Sequence, residues 1–323
     1  MKKTVPIVLL IIAAVGAMSV GSSQIDGFWS VLFNPGSNEI VWQIRFPRVM
    51  AALIVGAALG IAGLMAQGAC NNAVAEPAIL GTAAGASFGA VIGIATGLAQ
   101  VGSLGALACG TAGALLATSI TFRLAALRGA LSSFNLIIVG IAVSAIFTSL
   151  VGITSAVLNR ADARSISFWS LGSLALVTNE NLIGIIITTL AGGVIAWSIA
   201  PKLDRLSLGD QSAFHLGVNV PRVRFLALIS LSLLAGGAVS TVGVIAFIGL
   251  AAPHIARFVN GPSHRALTIQ SAFIGALIVL VADTLSRTIA QPNELAIGLA
   301  TALIGAPILI ALVTVKNNVW RTQ

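Results

Sequence analysis

The chain has 323 residues, of which 57% are hydrophobic and only 8% charged, with a mean hydropathy of +1.03. That balance excludes a soluble globular domain and identifies a polytopic membrane protein. The formal net charge of +8 is scattered over loops rather than gathered into a stripe, which excludes a nucleic-acid-binding surface.

A hydrocarbon core of roughly 30 Å takes about 20 apolar residues per span, and a backbone in lipid must satisfy its own hydrogen bonds. The apolar runs show no strict alternation, so they read as helices and not as barrel strands. About ten spans are expected, at about 4–22, 47–70, 78–97, 103–122, 135–157, 181–200, 225–242, 244–259, 268–287 and 296–315. The first, after Lys2 and Lys3, has the outline of a signal peptide. It reads as an uncleaved span, because its loss would leave an odd number and set the basic C-terminus against the inner loops. With an even number both termini share a side, and Lys2, Lys3, Lys316 and Arg321 mark that side as the cytoplasm. Arg123, Arg128, Lys202, Arg205, Arg222, Arg224 and Arg265 then lie inside. Arg45, Arg48, Arg160, Arg164 and Arg287 lie outside, accompanied by Asp26, Glu39, Asp162, Glu180 and Glu294.

Gly81, Gly85, Gly89, Gly93 and Gly97 recur at every fourth position, a spacing that strips one helix face and lets another backbone approach. The same stretch contains "GASFG", which matches the G-x-S-x-G pattern of serine hydrolases with Ser87 as nucleophile. That elbow needs a strand, a turn and a nearby histidine, whereas His215, His254 and His264 fall near the opposite ends of their segments. Helix packing is therefore the expectation. Cys70 and Cys109 have no metal-ligand spacing and read as small buried residues without a disulfide.

Between the sixth and seventh spans, "RLSLGDQSAFHLGVNVPRVRF" (Arg205 to Phe225) interrupts the apolar pattern with a short capped helix. Ser207 and Asp210 stand at capping distance, Gly217 can take the left-handed conformation that ends a helix, and Leu208, Phe214, Leu216 and Val218 form an apolar side. A helix this short is marginal alone, so a partner's groove or a lipid surface must hold it. The stretch Phe225 to Val259 is the hardest to divide. Only "GGAVSTVG" separates its halves, and Pro253 breaks the second, which suggests a half-helix or re-entrant turn. "PRVMAALIVGAALGIAG" from Pro47 resembles "PRVRFLALISLSLLAGG" from Pro221. The two starts lie five spans apart, an odd offset that makes an inverted repeat.

Taken in order, "QIRFPR", "QGACNNAVAEPAILG", "LGDQSAFHLGV", "FIGLAAPHIAR", "ADTLSR" and "ELAIGLATALIGAP" make the chain resemble the FecCD-type permeases, membrane subunits of ABC importers for iron-siderophores, haem and cobalamin. Two departures occur: Asn72-Ala73-Val74-Ala75 stands where the family has Asn-Pro-Leu-Ala, and Glu294-Leu295-Ala296 where it has Glu-Leu-Pro.

The resemblance implies an all-α, type II ABC importer permease fold over a single transmembrane domain, residues 1–323, with a coupling loop at about 202–224. In that loop a pair of short helices would dock on an ATPase through Gly209, Asp210, Ala213, Leu216 and Gly217. It also implies docking of an extracytoplasmic substrate-binding protein on Arg45, Arg48 and Arg287. An inner gate would form at Asn72, Val74, Ser132 and Ser133. The plainer readings are helix-end anchoring for Arg45 and Arg48, an ion pair with Asp283 for Arg287, and helix caps for the asparagine and serines. Implied partners are a second permease subunit, identical or paralogous, and two ATPase subunits. The chain has no G-x-x-x-x-G-K-[ST], so it binds no ATP through a P-loop and no cofactor of its own is expected. Within the class an iron-siderophore cargo is favoured, with haem and cobalamin open, in the cytoplasmic membrane of a prokaryote. An ion-coupled secondary transporter is the other reading, with Asp283 as its main ionisable group.

Overall fold

A computed structural model describes residues 4–21, 27–127, 131–158, 160–289, 293–303 and 305–307. The described residues form α1 (Thr4–Ser19), α2 (Phe28–Leu32), a π-helical turn (Ile40–Arg45) that runs into α3 (Phe46–Cys70), α4 (Thr82–Ala95), α5 (Leu104–Ala126) and α6 (Ser133–Val157). They continue as α7 (Arg160–Ser170), α8 (Asn179–Leu206), α9 (Asp210–His215), α10 (Val220–Val242), α11 (Ile248–Asn260) and α12 (His264–Ser286). No strand occurs among them. Among the described residues six helices are long and apolar enough to cross a membrane, and four shorter apolar helices, Ile7–Ser19, Thr82–Ala95, Ile248–Val259 and Ile297–Pro307, fall where the remaining expected spans lie. The rest of the expected span at 296–315 lies outside the described residues.

Two of the short helices are too short to span. At about 1.5 Å per residue, α4 with 14 residues and α11 with 13 reach only about 20 Å. The expected span at 78–97 loses its ends to backbone geometry, because Gly81 (φ 87°) and Gly97 (φ 75°) are left-handed on either side of the helix. α11 starts at Phe247, whose φ of 69° is rare for a residue with a side chain and costs roughly 1–2 kcal/mol. The Phe247 amide donates to Glu76 Oε1 at 3.0 Å, so the turn after α3 holds the start of the half-helix. The half-helix expected from Pro253 is thus present, with the proline inside α11.

α8 continues through Pro201 to Leu206, and α10 begins at Val220, where Asn219 Oδ1 accepts from the Arg222 amide at 3.1 Å. The polar interruption expected at 202–224 is therefore shorter. Its charged ends are helical and extend the two spans beyond their apolar windows.

α3 and α10 are the most buried of the long helices. They pack on each other, and as α3 packs on α12, so α10 packs on α5. Those pairs are related by an offset of five spans. α3 and α10 run antiparallel, because Arg224 near the start of α10 reaches the Ala69 carbonyl near the end of α3. Packing and direction together make the inverted repeat.

Close approach depends on glycine. A Cβ on Gly85 would collide with the Gly113 carbonyl of α5, and one on Gly89 with the Cys109 carbonyl. A second set, unremarked in the sequence reading, does the same for α3: Gly56 meets Gly275, Gly60 meets Ser271 and Gly63 meets Gly249. Ser87 is buried within α4, with its hydroxyl unbonded among the described residues and no strand-to-helix elbow around it. The hydrolase pattern is therefore a product of the glycine stripe. Gly89→Leu should force α4 and α5 apart at a cost of about 1–3 kcal/mol or more, whereas Ser87→Ala should change stability by less than about 1 kcal/mol. Thermal unfolding of the purified variants in detergent checks both.

Candidate coupling and gating site

α9 is defined at both ends by glycine. Gly209 (φ 96°) precedes Asp210, and Gly217 (φ 77°) follows Leu216. The Gly217 amide donates to Phe214 O and the Val218 amide to Ala213 O, each at 2.9 Å, the paired closure that a left-handed residue permits. The expected cap at Ser207 does not form. Its hydroxyl turns back to the Asp204 carbonyl at 2.7 Å, because α8 extends to Leu206 and makes Ser207 a C-cap instead. One short helix, not the expected pair, lies between α8 and α10 among the described residues. Its apolar side divides. Ala213 and Val218 are buried, while Leu208, Phe214 and Leu216 are 64%, 72% and 51% exposed. Phe214 borders an open cleft of about 520 Å³ that Leu131, Asp210, Val220 and Pro221 also line.

Bonded to the cleft-lining Asp210 and Leu131, Arg224, buried in the second turn of α10, spends every donor it has. Nε donates to Ala69 O at 2.9 Å, one of the carbonyls that the end of α3 leaves unpaired. Nη1 donates to Asp210 Oδ2 at 2.9 Å and to the Leu131 carbonyl. Nη2 donates to Asp210 Oδ1 at 2.9 Å and to Ser133 Oγ at 3.1 Å. A guanidinium has five N–H groups, and all five are bonded here. In the sequence Arg224 stands out only as an inner-loop charge. Its neighbours lie 14 to 155 residues away, so no local pattern could show them.

The gate candidates sit around this group. Ser132 is the N-cap of α6, accepting from the Asn135 amide at 3.1 Å, and Ser133 is its first residue. Asn72 accepts from the Val74 amide at 3.0 Å in the turn that closes α3. The cap reading of Ser132 is therefore correct as geometry, and Asn72 shapes a turn. Arg224 brings the coupling candidate Asp210 and the gate candidate Ser133 onto one group, beside the end of α3 that carries Asn72 and Val74. Glu76 in the same turn was quoted in the sequence but given no role. Burial pushes its carboxyl above the ordinary carboxylate range, against the opposing pull of the Phe247 amide.

The other end of the bundle holds Arg45, Arg48 and Arg287, all buried. Arg48 Nε donates to Asp283 Oδ1 at 2.9 Å, and its Nη1 donates to Glu294 Oε1 at 2.8 Å. Arg287 Nε stands 3.5 Å from Asp283 Oδ2, the i, i+4 pair expected of it. Arg45 donates to the Met18 and Ser19 carbonyls and Arg287 to the Ala17 carbonyl, so the two complete the end of α1. Arg48 is buried and already paired with Asp283 and Glu294, so an incoming carboxylate there would compete with both. Direct docking on these arginines thus meets a physical obstacle that the sequence did not reveal. Asp283, the ionisable group of the ion-coupled reading, is held between Arg48 and Arg287.

Comparison with known proteins gives one consistent result. The model of the FecCD transport family matches residues 6–315. The ferric enterobactin transport system permease protein FepD of Escherichia coli K12 is 37% identical over 84% of this chain and 86% of its own. The hemin transport system permease protein HmuU of Yersinia pestis is 34% identical over 84% and 83%. The vitamin B12 import system permease protein BtuC of Vibrio cholerae is 32% identical over 78% and 74%. A solved structure described as an inward-facing metal-chelate type ABC transporter superposes with a TM-score of 0.82 at 29% identity, covering 96% of this chain and 97% of that one.

The Arg48 cluster predicts a clear asymmetry in stability. Arg48→Ala leaves Asp283 buried without its closest cation and should cost about 3–5 kcal/mol. Adding Asp283→Asn removes the stranded charge and should recover part of that loss. Unfolding midpoints of the single and double variants in the same detergent test it.

Proposed function

The chain belongs to the FecCD transport family, and on that premise we propose that it is the importer permease through which an iron-siderophore chelate crosses the cytoplasmic membrane of a prokaryote. The coarser class, an ABC importer permease for iron-siderophore, haem or cobalamin, follows from family and relatives together. The chain is a transport protein rather than an enzyme. Identities of 37%, 34% and 32% to the ferric enterobactin, hemin and vitamin B12 permeases support the siderophore among the three.

The observation that carries the mechanism is α9. A six-residue helix that exposes Phe214, with Leu208 and Leu216 exposed at its two flanks beside an open cleft, is an incomplete surface. A partner supplying a groove would bury it, and burying one such side chain contributes about 1.5–3 kcal/mol. In this reading the partner is one of two ATPase subunits, which bind and hydrolyse the ATP for which this chain has no P-loop. A second permease subunit completes the path. The Arg224 end and both termini face the cytoplasm, and the Arg48 end faces the extracytoplasmic binding protein. With Arg45, Arg48 and Arg287 buried, their part in docking is to hold the end of α1 and Glu294 in place.

Tagged protein purified from native membranes should bring down a P-loop ATPase, and the vesicle-reconstituted assembly should take up ferric enterobactin in preference to hemin or vitamin B12. Phe214→Ser with Leu216→Ser should weaken ATPase association at least about tenfold, since apolar anchors dominate such interfaces. Unchanged affinity in that double variant would remove α9 from the interface, and preferential uptake of hemin or vitamin B12 would replace the cargo.

A further inference from the structure

We propose that Arg224 is the positioning residue that transmits movement of α9 to the gate segments at 72–74 and 131–133. The inference rests on the permease reading above and adds to it the group through which coupling runs.

The geometry is specific. α9 is attached to its neighbours by few contacts. Two left-handed glycines flank it, its main apolar residues face outward, and its carboxylate Asp210 is bound by both terminal nitrogens of Arg224. That two-point bond fixes the plane of the guanidinium as well as its distance. The remaining N–H groups of the same plane end on the Ala69 carbonyl, the Leu131 carbonyl and Ser133 Oγ. Ala69 lies one turn before Asn72, and Leu131 and Ser133 bracket Ser132. A rotation of Asp210 therefore breaks or re-aims bonds to both gate segments at once. α10 does not absorb the motion, because Val220, Val223, Arg224 and Ala227 bury one side of its first two turns.

Two features argue that the group moves rather than merely braces. The Asp210 side chain is 47% exposed, so water can replace the ion pair when α9 is displaced. By contrast, the Asp283 carboxylate at the opposite end is 0% exposed and has no such exchange route. All the donors are satisfied in this arrangement, so any displaced position of α9 must give some of them new acceptors. A rigid planar fork thereby converts movement at one acceptor into a changed arrangement at the other three. A lysine has three donors on a freely rotating ammonium and cannot do the same.

The test follows the gate directly. In a chain carrying Cys70→Ala and Cys109→Ala, Val74→Cys introduces a thiol at a position that is 48% exposed. The complex with its ATPase is placed in lipid nanodiscs. Labelling by a charged maleimide is followed with and without ATP, at saturating ATPase, and ATP hydrolysis is measured per bound ATPase. In the otherwise wild-type protein ATP should change the labelling rate, and an unchanged rate there would overturn the proposal. Arg224→Lys and Asp210→Asn should each reduce that change, per bound and hydrolysing ATPase, about tenfold, within the range of measured site-to-site coupling. Asp210→Glu, which keeps the carboxylate, should restore most of the response. If Arg224→Lys fails to fold, Asp210→Asn at its half-exposed position decides alone. Wild-type ATP responses in Asp210→Asn and in any folded Arg224→Lys would overturn the role of Arg224 and leave the permease reading intact. A chain that purifies with no ATPase would overturn both.

Discussion

A buried guanidinium must find its hydrogen bonds inside the chain, and two arginines meeting that demand fix the ends of this bundle. Arg48 does so at the start of α3 by reaching Asp283 and Glu294, which ties α3 to α12 and to the segment beyond it. Arg224 does so at the start of α10 by reaching the end of α3, the start of α6 and α9. Between those ends the helices carry few charged side chains, bury serine and threonine hydroxyls such as Thr82, Thr118, Ser230 and Thr241, and associate by close contact. Glycine pairs such as Gly56 with Gly275 and Gly85 with Gly113 allow it.

The two ends are built alike but differ in what holds them. At the Arg48 end the central carboxylate is fully buried, a second arginine supports it, and the last turn of α1 is pinned by Arg45 and Arg287. Breaking that arrangement strands a charge. At the Arg224 end the central carboxylate belongs to a short helix between two left-handed glycines and is half in water. Opening it exposes groups that water can satisfy. The inverted repeat thus gives one end held by a fully buried carboxylate and one end held by a carboxylate half open to water.

Much of the fold was legible in the sequence, because apolar runs of span length can be little else in a chain so poor in charge. The glycine stripe from Gly81 and the left-handed turn at Gly217 were legible too, since spacing and residue type dictate both. Three features were not. Hydropathy does not see backbone dihedrals, so the shortening of the span at 78–97 by Gly81 and Gly97 was invisible. Local capping patterns do not see where the preceding helix stops, so Ser207 reads as the start of α9 although it ends α8. Buried ion pairs between distant residues leave no local trace. Arg48 and Asp283 lie 235 positions apart, and both looked like ordinary boundary charges. For the same reason the donors of Arg224, which join the coupling and gate candidates, could be found only in three dimensions.

The most direct measurement is amide hydrogen exchange over the whole chain, in the assembled complex, with and without ATP and with no cargo present. If the Arg224 end is the one that opens, ATP will change protection in the segments around 69–75, 131–135 and 209–218. Protection around 45–49 and 281–287 will stay constant, because local opening follows the free energy of the contacts that must be broken. Equal changes at both ends, or changes confined to the Arg48 end, would contradict it.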